Sequence, residues 1–254
     1  MDERVREYLR RIEYSGSIEP TLDVLYALQY AHLHNIPYEN LDIMQGKPIV
    51  LDIDLLYDKI VLRRRGGYCF ELNYLFGWFL RQLGFSVCDH FGRFLMDSSS
   101  LPKRRHWVLR VTIDGTNYLS DVGVGVGQPR WPLLLKEELE QSRGGESWRV
   151  RRDDFLGWVV DSFHAVHGWR EYISFSDDVP LVPDDFVAIS YFCEHSDQSP
   201  FNKKNIVAIR TQNGRNTLDG DEFRIFYEDK VETFIAQNAE QFNEKLQELF
   251  ELSL

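Results

Sequence analysis

The first 84 residues place their apolar positions at helical spacing. Val5, Tyr8, Leu9 and Ile12 share one stripe, and Leu22, Leu25, Leu28 and Leu33 share another, because residues three and four apart fall on one helix face. Ile36-Pro37 interrupts the pattern, since the residue before proline is pushed out of the helical region. A short helix is expected over 53–60. Another is expected over 68–83, with Gly84 as its C-terminal stop. From Phe85 the period changes. Segments 107–113, 118–122, 148–150 and 157–160 are short, rich in β-branched and aromatic residues, and separated by turn signals, which is strand patterning. Residues 85–185 therefore read as a barrel or curled sheet. Segments 206–211 and 223–227 read as strands around the turn Asn213-Gly214. A final amphipathic helix carries Phe242, Leu246, Leu249 and Phe250. No repeat, low-complexity tract or Gly/Ser linker divides the chain, so its parts are expected to pack as one body.

Composition narrows the class. The chain has 254 residues, of which 43% are hydrophobic and 27% charged, which is ordinary for a globular protein. No apolar run approaches the ~20 residues that span a bilayer. The opening MDERVREYLRR is charged at once, unlike a secretory signal. Three cysteines (Cys69, Cys88, Cys193) are too few and too scattered for a disulfide or zinc framework. The expectation is a cytoplasmic protein with no membrane segment and no metal. A net charge of −11 argues against broad nucleic-acid or anionic-membrane binding, because both need a positive face. The charge is uneven, however: residues 61–110 hold 9 basic and 3 acidic side chains, whereas 219–254 hold 3 basic and 10 acidic.

The richest stretch lies in that basic half. In Arg65-Gly66-Gly67-Tyr68-Cys69-Phe70-Glu71-Leu72-Asn73 the glycines permit an unusual turn and set Cys69 in the first turn of the next helix. Unpaired N–H groups and the dipole there favour thiolate over thiol, and Arg63-Arg64-Arg65 push the same way. Two readings stand for Cys69, a nucleophile or a buried structural cysteine. Cys88, alternating with apolar neighbours, reads as core. Cys193, at a strand end or loop, has no charge argument.

A thiolate enzyme needs a base and a group to orient it. Asp114-Gly115 is a strong two-residue hairpin signal. If it forms the loop, Ile113 faces Thr116, Val108 faces Asp121, and His106 becomes the diagonal neighbour of Asp121, within side-chain reach. His32 and His34 are poorly spaced for one metal and have no acidic cluster beside them. His90, His164, His167 and His195 offer less. Gly123-Val124-Gly125-Val126-Gly127 is neither a P-loop nor a dinucleotide fingerprint, because the Lys-Ser/Thr is missing and Gln128 takes the third glycine position.

Together these segments resemble the arylamine N-acetyltransferases. Ile36-Pro37-Tyr38-Glu39-Asn40-Leu41 is similar to that family's P-F-E-N-L motif, the Cys69 stretch to its nucleophile motif, and Asp121-Val122-Gly123-Val124-Gly125 to its D-V-G-F-G. Ser199-Pro200-Phe201 and the closing Leu249-Phe250-Glu251-Leu252-Ser253-Leu254 resemble weaker C-terminal features. The resemblance implies an α+β fold. An N-terminal helical bundle (1–84) would carry the nucleophile, a central β-barrel (85–185) His and Asp, and a C-terminal α/β lid (186–254) would close a cysteine-protease-like triad. It implies acetyl transfer from acetyl-CoA to an arylamine, arylhydrazine or N-hydroxyarylamine, with Cys69, His106 and Asp121 as triad. Lys103, Arg104, Arg105, Gly125 and Ser199 are expected toward CoA, and Tyr38, Val124 and Phe201 at the acceptor pocket. Val124 and Tyr38 both stand where the family usually has phenylalanine, which bears on acceptor choice. Partners are then small molecules, and the protein a monomer or homodimer. Two rival readings use the same residues differently: a thiol hydrolase or transglutaminase-like enzyme, and a non-catalytic ligand-binding relative.

Overall fold

Asp2 and Thr21 open the first two helices, α1 (Glu3–Arg11) and α2 (Leu22–Asn35), by accepting from the backbone N–H of Arg4 and Val24, as short polar caps do. The computed structural model describes residues 2–96, 100–179 and 181–253. Leu254, the last residue of the C-terminal motif, lies outside them. α1 buries Val5, Tyr8 and Leu9, and α2 buries Leu25, Leu28 and Leu33, so the two apolar stripes face the core. Ile36 turns extended, and Tyr38–Glu39 form a short strand, β1. Then come α3 (Leu41–Met44), α4 (Ile53–Tyr57), a π-turn over Asp58–Leu62, and α5 (Cys69–Gln82). α5 is buried along most of its length, with Phe70, Leu75, Phe76, Phe79 and Leu80 fully covered.

Eight antiparallel strands follow: β2 (Ser86–Phe94), β3 (His106–Ile113), β4 (Thr116–Ser120), β5 (Leu133–Leu134), β6 (Leu139–Arg143), β7 (Glu146–Asp153), β8 (Gly157–His164) and β9 (Gly168–Phe175). They run in the order β5-β4-β3-β2-β9-β8-β7-β6. The sheet curls into a nearly closed barrel. Its edge strands are bridged by Gln141, whose side-chain amide both donates to and accepts from the Leu134 backbone. That covers an edge that would otherwise expose unpaired backbone groups. The β3–β4 register runs from Ile113↔Thr116 to Leu109↔Ser120, as the Asp-Gly loop requires. Asp114 and Gly115 both take positive φ, the geometry of a type I′ turn.

The remaining elements are a 3-10 turn (Pro183–Phe186), α6 (Val187–His195), β10 (Ile206–Thr211), β11 (Gly214–Asp219), β12 (Glu222–Phe226), β13 (Val231–Ile235) and α7 (Ala239–Phe250). A second sheet has the order β1-β10-β11-β12-β13. Three features depart from the sequence reading. β11 (GRNTLD) is too polar to signal a strand, and it inserts between the two strands expected there. Its hairpin with β10 closes at Thr211↔Gly214, one residue before the expected turn. Cys193 lies on α6, fully buried, rather than at a strand end. β1 comes from the mainly helical first third, yet pairs Tyr38 with Ala208 of β10, tying the second sheet to the segment before α5. Among the described residues no helix is long and apolar enough to cross a membrane.

Candidate active site

The start of α5 is built by packing around two glycines. Tyr38 forms a parallel bridge to Gly67, and Glu39 N–H donates to the Gly67 carbonyl at 2.8 Å. A Cβ on Gly66 would lie 2.1 Å from the Pro37 carbonyl oxygen, so no other residue fits there. Tyr68 takes the N-cap position. Its backbone N–H is served by Glu71 Oε2 at 3.0 Å, the reaching-back half of a capping box. Cys69 is then the first helical residue, 1% exposed.

A chain of buried ions steadies this turn. Glu71 Oε1 accepts from Lys59 Nζ at 2.8 Å, and Lys59 pairs with Asp42 at 2.7 Å. Asp42 meets Arg65 at 3.2 Å, and Arg65 meets Glu39 at 2.7 Å. Buried charges persist only when paired and hydrogen-bonded, and each member here satisfies the next. This overturns one expectation. The arginines before Cys69 do not polarise it, because Arg65 is taken by Glu39 and Asp42, Arg64 by Glu251 and Arg63 by Asp58.

His106 and Asp121 meet as the hairpin arithmetic requires: His106 Nε2 lies 2.6 Å from Asp121 Oδ2. Both are buried, at 0% and 2% exposure. Asp121 Oδ1 accepts from Asn73 Nδ2 and from the Gly123 N–H, each at 2.8 Å. Asn73 Nδ2 also donates to the Trp107 carbonyl, and Asn73 Oδ1 accepts from Val122 N–H. A carboxylate so placed accepts the Nε2 proton, which leaves Nδ1 with the lone pair. That Nδ1 is buried and has no hydrogen-bond partner. The ring lies 4.6 Å from the Phe94 ring, tilted by 41°.

Asn73 joins the two halves. It sits one turn after Cys69 on α5, and residues four apart share a helix face. A Cβ on Gly123 would lie 2.5 Å from Asn73 Nδ2 and 2.9 Å from Cys69 Cα; glycine there lets the Asp121 strand end close on α5. Cys69 Sγ contacts the carbonyl of Arg105, next to His106, at 3.9 Å. Burial pushes the Cys69 thiol well up, Cys193 and Asp121 add to this, and the N–H groups of Phe70 and Trp107 pull the other way. The helix start thus acts in the expected direction, but desolvation outweighs it.

The outlying candidates take different places. Lys103 and Arg104 are exposed, and Lys103 Nζ bonds Gln198 Oε1 at 2.8 Å. Arg105 is half-buried, its guanidinium 5.9 Å from the Phe201 ring centre. Ser199 is buried. Its hydroxyl donates to the Cys193 carbonyl and accepts from Phe201 N–H, so it shapes the loop that carries Phe201. Gly125, at positive φ, packs against Ala208 and Tyr38. Tyr38 and Phe201 share a buried cluster with Cys69, whereas half-buried Val124 packs on the barrel core.

Several functional-looking residues had no role in the sequence reading. Asn40 donates to the Phe201 and Lys204 carbonyls and accepts from Ile206 N–H, fixing the Phe201 loop from the β1 side. The Tyr68 hydroxyl hydrogen-bonds Ser190, which continues to Glu194. Asn40, Tyr68 and Asn73 lie inside the motifs quoted above, and Asn73 has in addition its helical spacing from Cys69.

The chain is similar to known proteins over nearly its whole length. The N-acetyltransferase family model matches residues 21–254. The arylamine N-acetyltransferase of Mycobacterium tuberculosis is 34% identical over 97% of this chain and 88% of its own length. Among solved structures, the enzyme from Salmonella typhimurium superposes with a TM-score of 0.93 at 30% identity, covering 99% of this chain and 92% of its own. The Mycobacterium marinum enzyme, solved in complex with CoA, gives 0.88 at 33% identity over 97% and 92%. The chain belongs to the arylamine N-acetyltransferase family.

Proposed function

We propose that this chain transfers an acetyl group from acetyl-CoA to the amino group of an arylamine, arylhydrazine or N-hydroxyarylamine, through an acetyl-thioester on Cys69. The observation that carries this is the His106–Asp121 bond of 2.6 Å, with Nδ1 buried and without a partner, while the carbonyl of the adjoining Arg105 lies 3.9 Å from Cys69 Sγ. His106 Nδ1 takes the Cys69 proton, and charge separation offsets the burial that holds the thiol protonated. The thiolate attacks the acetyl carbonyl, a new C–S bond forms, and the CoA sulfur leaves with the proton from His106. An amine then attacks the acetyl group. A C–N bond forms, the Cys69 C–S bond breaks, and the amine proton passes to His106. Asp121, held by Asn73, keeps the imidazole in the tautomer that does this.

On this reading Lys103 and Arg104 meet the CoA phosphates at the exposed rim, near Ser199 and Gly125. Tyr38, Val124 and Phe201 form the walls met by the acceptor. The divisions at 84 and 185 then separate nucleophile, base and lid. The test is mass spectrometry after incubation with acetyl-CoA. One acetyl adduct should appear on Cys69, be discharged by an aromatic amine, and be absent from Cys69→Ala. Full acetyl transfer by Cys69→Ala would refute the assignment, and discharge by water as fast as by any amine would favour a hydrolase.

A further inference from the structure

Arg105 differs from the two basic residues before it. They are exposed, whereas its side chain turns inward over the Phe201 ring, 5.9 Å from the ring centre. Its charge also reaches the Tyr38 phenol and the Cys193 thiol, opposing the burial that raises both. Arg105 Nε is buried without a hydrogen-bond partner, and among the described residues the guanidinium forms no ion pair. Arg210 Nε is likewise unpaired, but the fully buried arginines differ in having partners for their other guanidinium nitrogens. Arg11 donates to main-chain carbonyls, including those of Ile60 and Asn35, Arg65 pairs with Glu39 and Asp42, and Arg210 pairs with Glu146. A permanent charge with a desolvated donor and no partner costs free energy unless an anion arrives from outside. This one stands against an aromatic wall, and its own carbonyl touches Cys69 Sγ.

We propose that Arg105 is a specificity residue selecting acceptor amines that carry a carboxylate on the aromatic ring. The ring lies against Phe201 and Tyr38, and the guanidinium fork takes the carboxylate. This rests on the acetyl-transfer reading above, and it moves Arg105 from the residues expected toward CoA to those expected toward the acceptor.

The test discharges the acetyl-enzyme with 4-aminobenzoate or with 4-methylaniline, which is of similar size and uncharged. The readout is the ratio of their kcat/KM values, which does not depend on the fraction of enzyme folded. Arg105→Met should lower the ratio by about 10–100-fold relative to wild type, and Arg105→Lys by less. In the wild type the ratio should also fall as salt is raised, which tests the idea without any variant. An unchanged ratio overturns the proposal. So does an equal loss with both acceptors together with a raised acetyl-CoA KM, which would return Arg105 to the phosphates. A wild type that never acetylates Cys69 would instead refute the acetyl-transfer reading itself.

Discussion

Two basic runs of this chain look alike on paper and behave oppositely in the fold. Arg63-Arg64-Arg65 precedes Tyr68-Cys69, and Lys103-Arg104-Arg105 precedes His106. Every member of the first run is committed to a carboxylate of this chain. Among the described residues no member of the second forms an ion pair; Lys103 has the neutral Gln198 and the Phe192 ring, and Arg105 the Phe201 ring. The first run therefore builds the turn before Cys69, and the second, on the proposed function, is left to receive a ligand. A cation's role depends on whether an internal anion reaches it first.

The largest test of this contrast is stability. Arg65→Met leaves the fully buried Glu39 without its cation and should cost about 3–5 kcal/mol in urea unfolding. Arg105→Met, with no partner to strand, should cost under about 1 kcal/mol. Equal losses would erase the distinction.

Acid pH sharpens it further. Burial alone would raise the Asp42 carboxyl, but Lys59, Arg65 and Lys47 outweigh this and hold it below the usual range. Between that lowered value and the unfolded value of about 4 the unfolded chain binds more protons. Stability should therefore rise with pH through this window and be lost as pH falls through it. Arg65→Met should flatten that acid limb in urea titrations at stepped pH, and an unaltered limb would show that Arg65 does not hold Asp42.

Smaller effects belong to the exposed residues. Replacing Lys103 and Arg104 by glutamine should raise the acetyl-CoA KM about 3–10-fold at low salt, with the difference shrinking near 0.5 M salt as the charges are screened. An unchanged acetyl-CoA dependence would remove them from the residues that meet the CoA phosphates. The smallest effect is expected of Arg64→Ala, whose partner Glu251 is exposed; unfolding should shift by no more than about 0.5 kcal/mol.

The two halves of the site were unequally legible. The His106–Asp121 pair followed from one dipeptide, because a two-residue loop sets the whole register of a hairpin. The place of Cys69 followed from the glycines and the apolar period of the next helix. By contrast, the Glu39–Arg65–Asp42–Lys59–Glu71 chain joins residues up to 32 positions apart, and no local spacing announces it. Asn73 was readable as a neighbour of Cys69, but its bond to Asp121 required α5 to dock on the barrel.

The sequence by itself determined the periods of α1, α2 and α5, the break at Ile36-Pro37, the β3–β4 register and the helix start at Cys69. Each depends on backbone preferences acting over a few residues. Tertiary structure alone decided that β1 joins the second sheet, that burial outweighs the helix dipole at Cys69, and which arginines are neutralised at home. Those outcomes turn on desolvation and on charges brought together from distant segments, which exist only once the chain has closed around them.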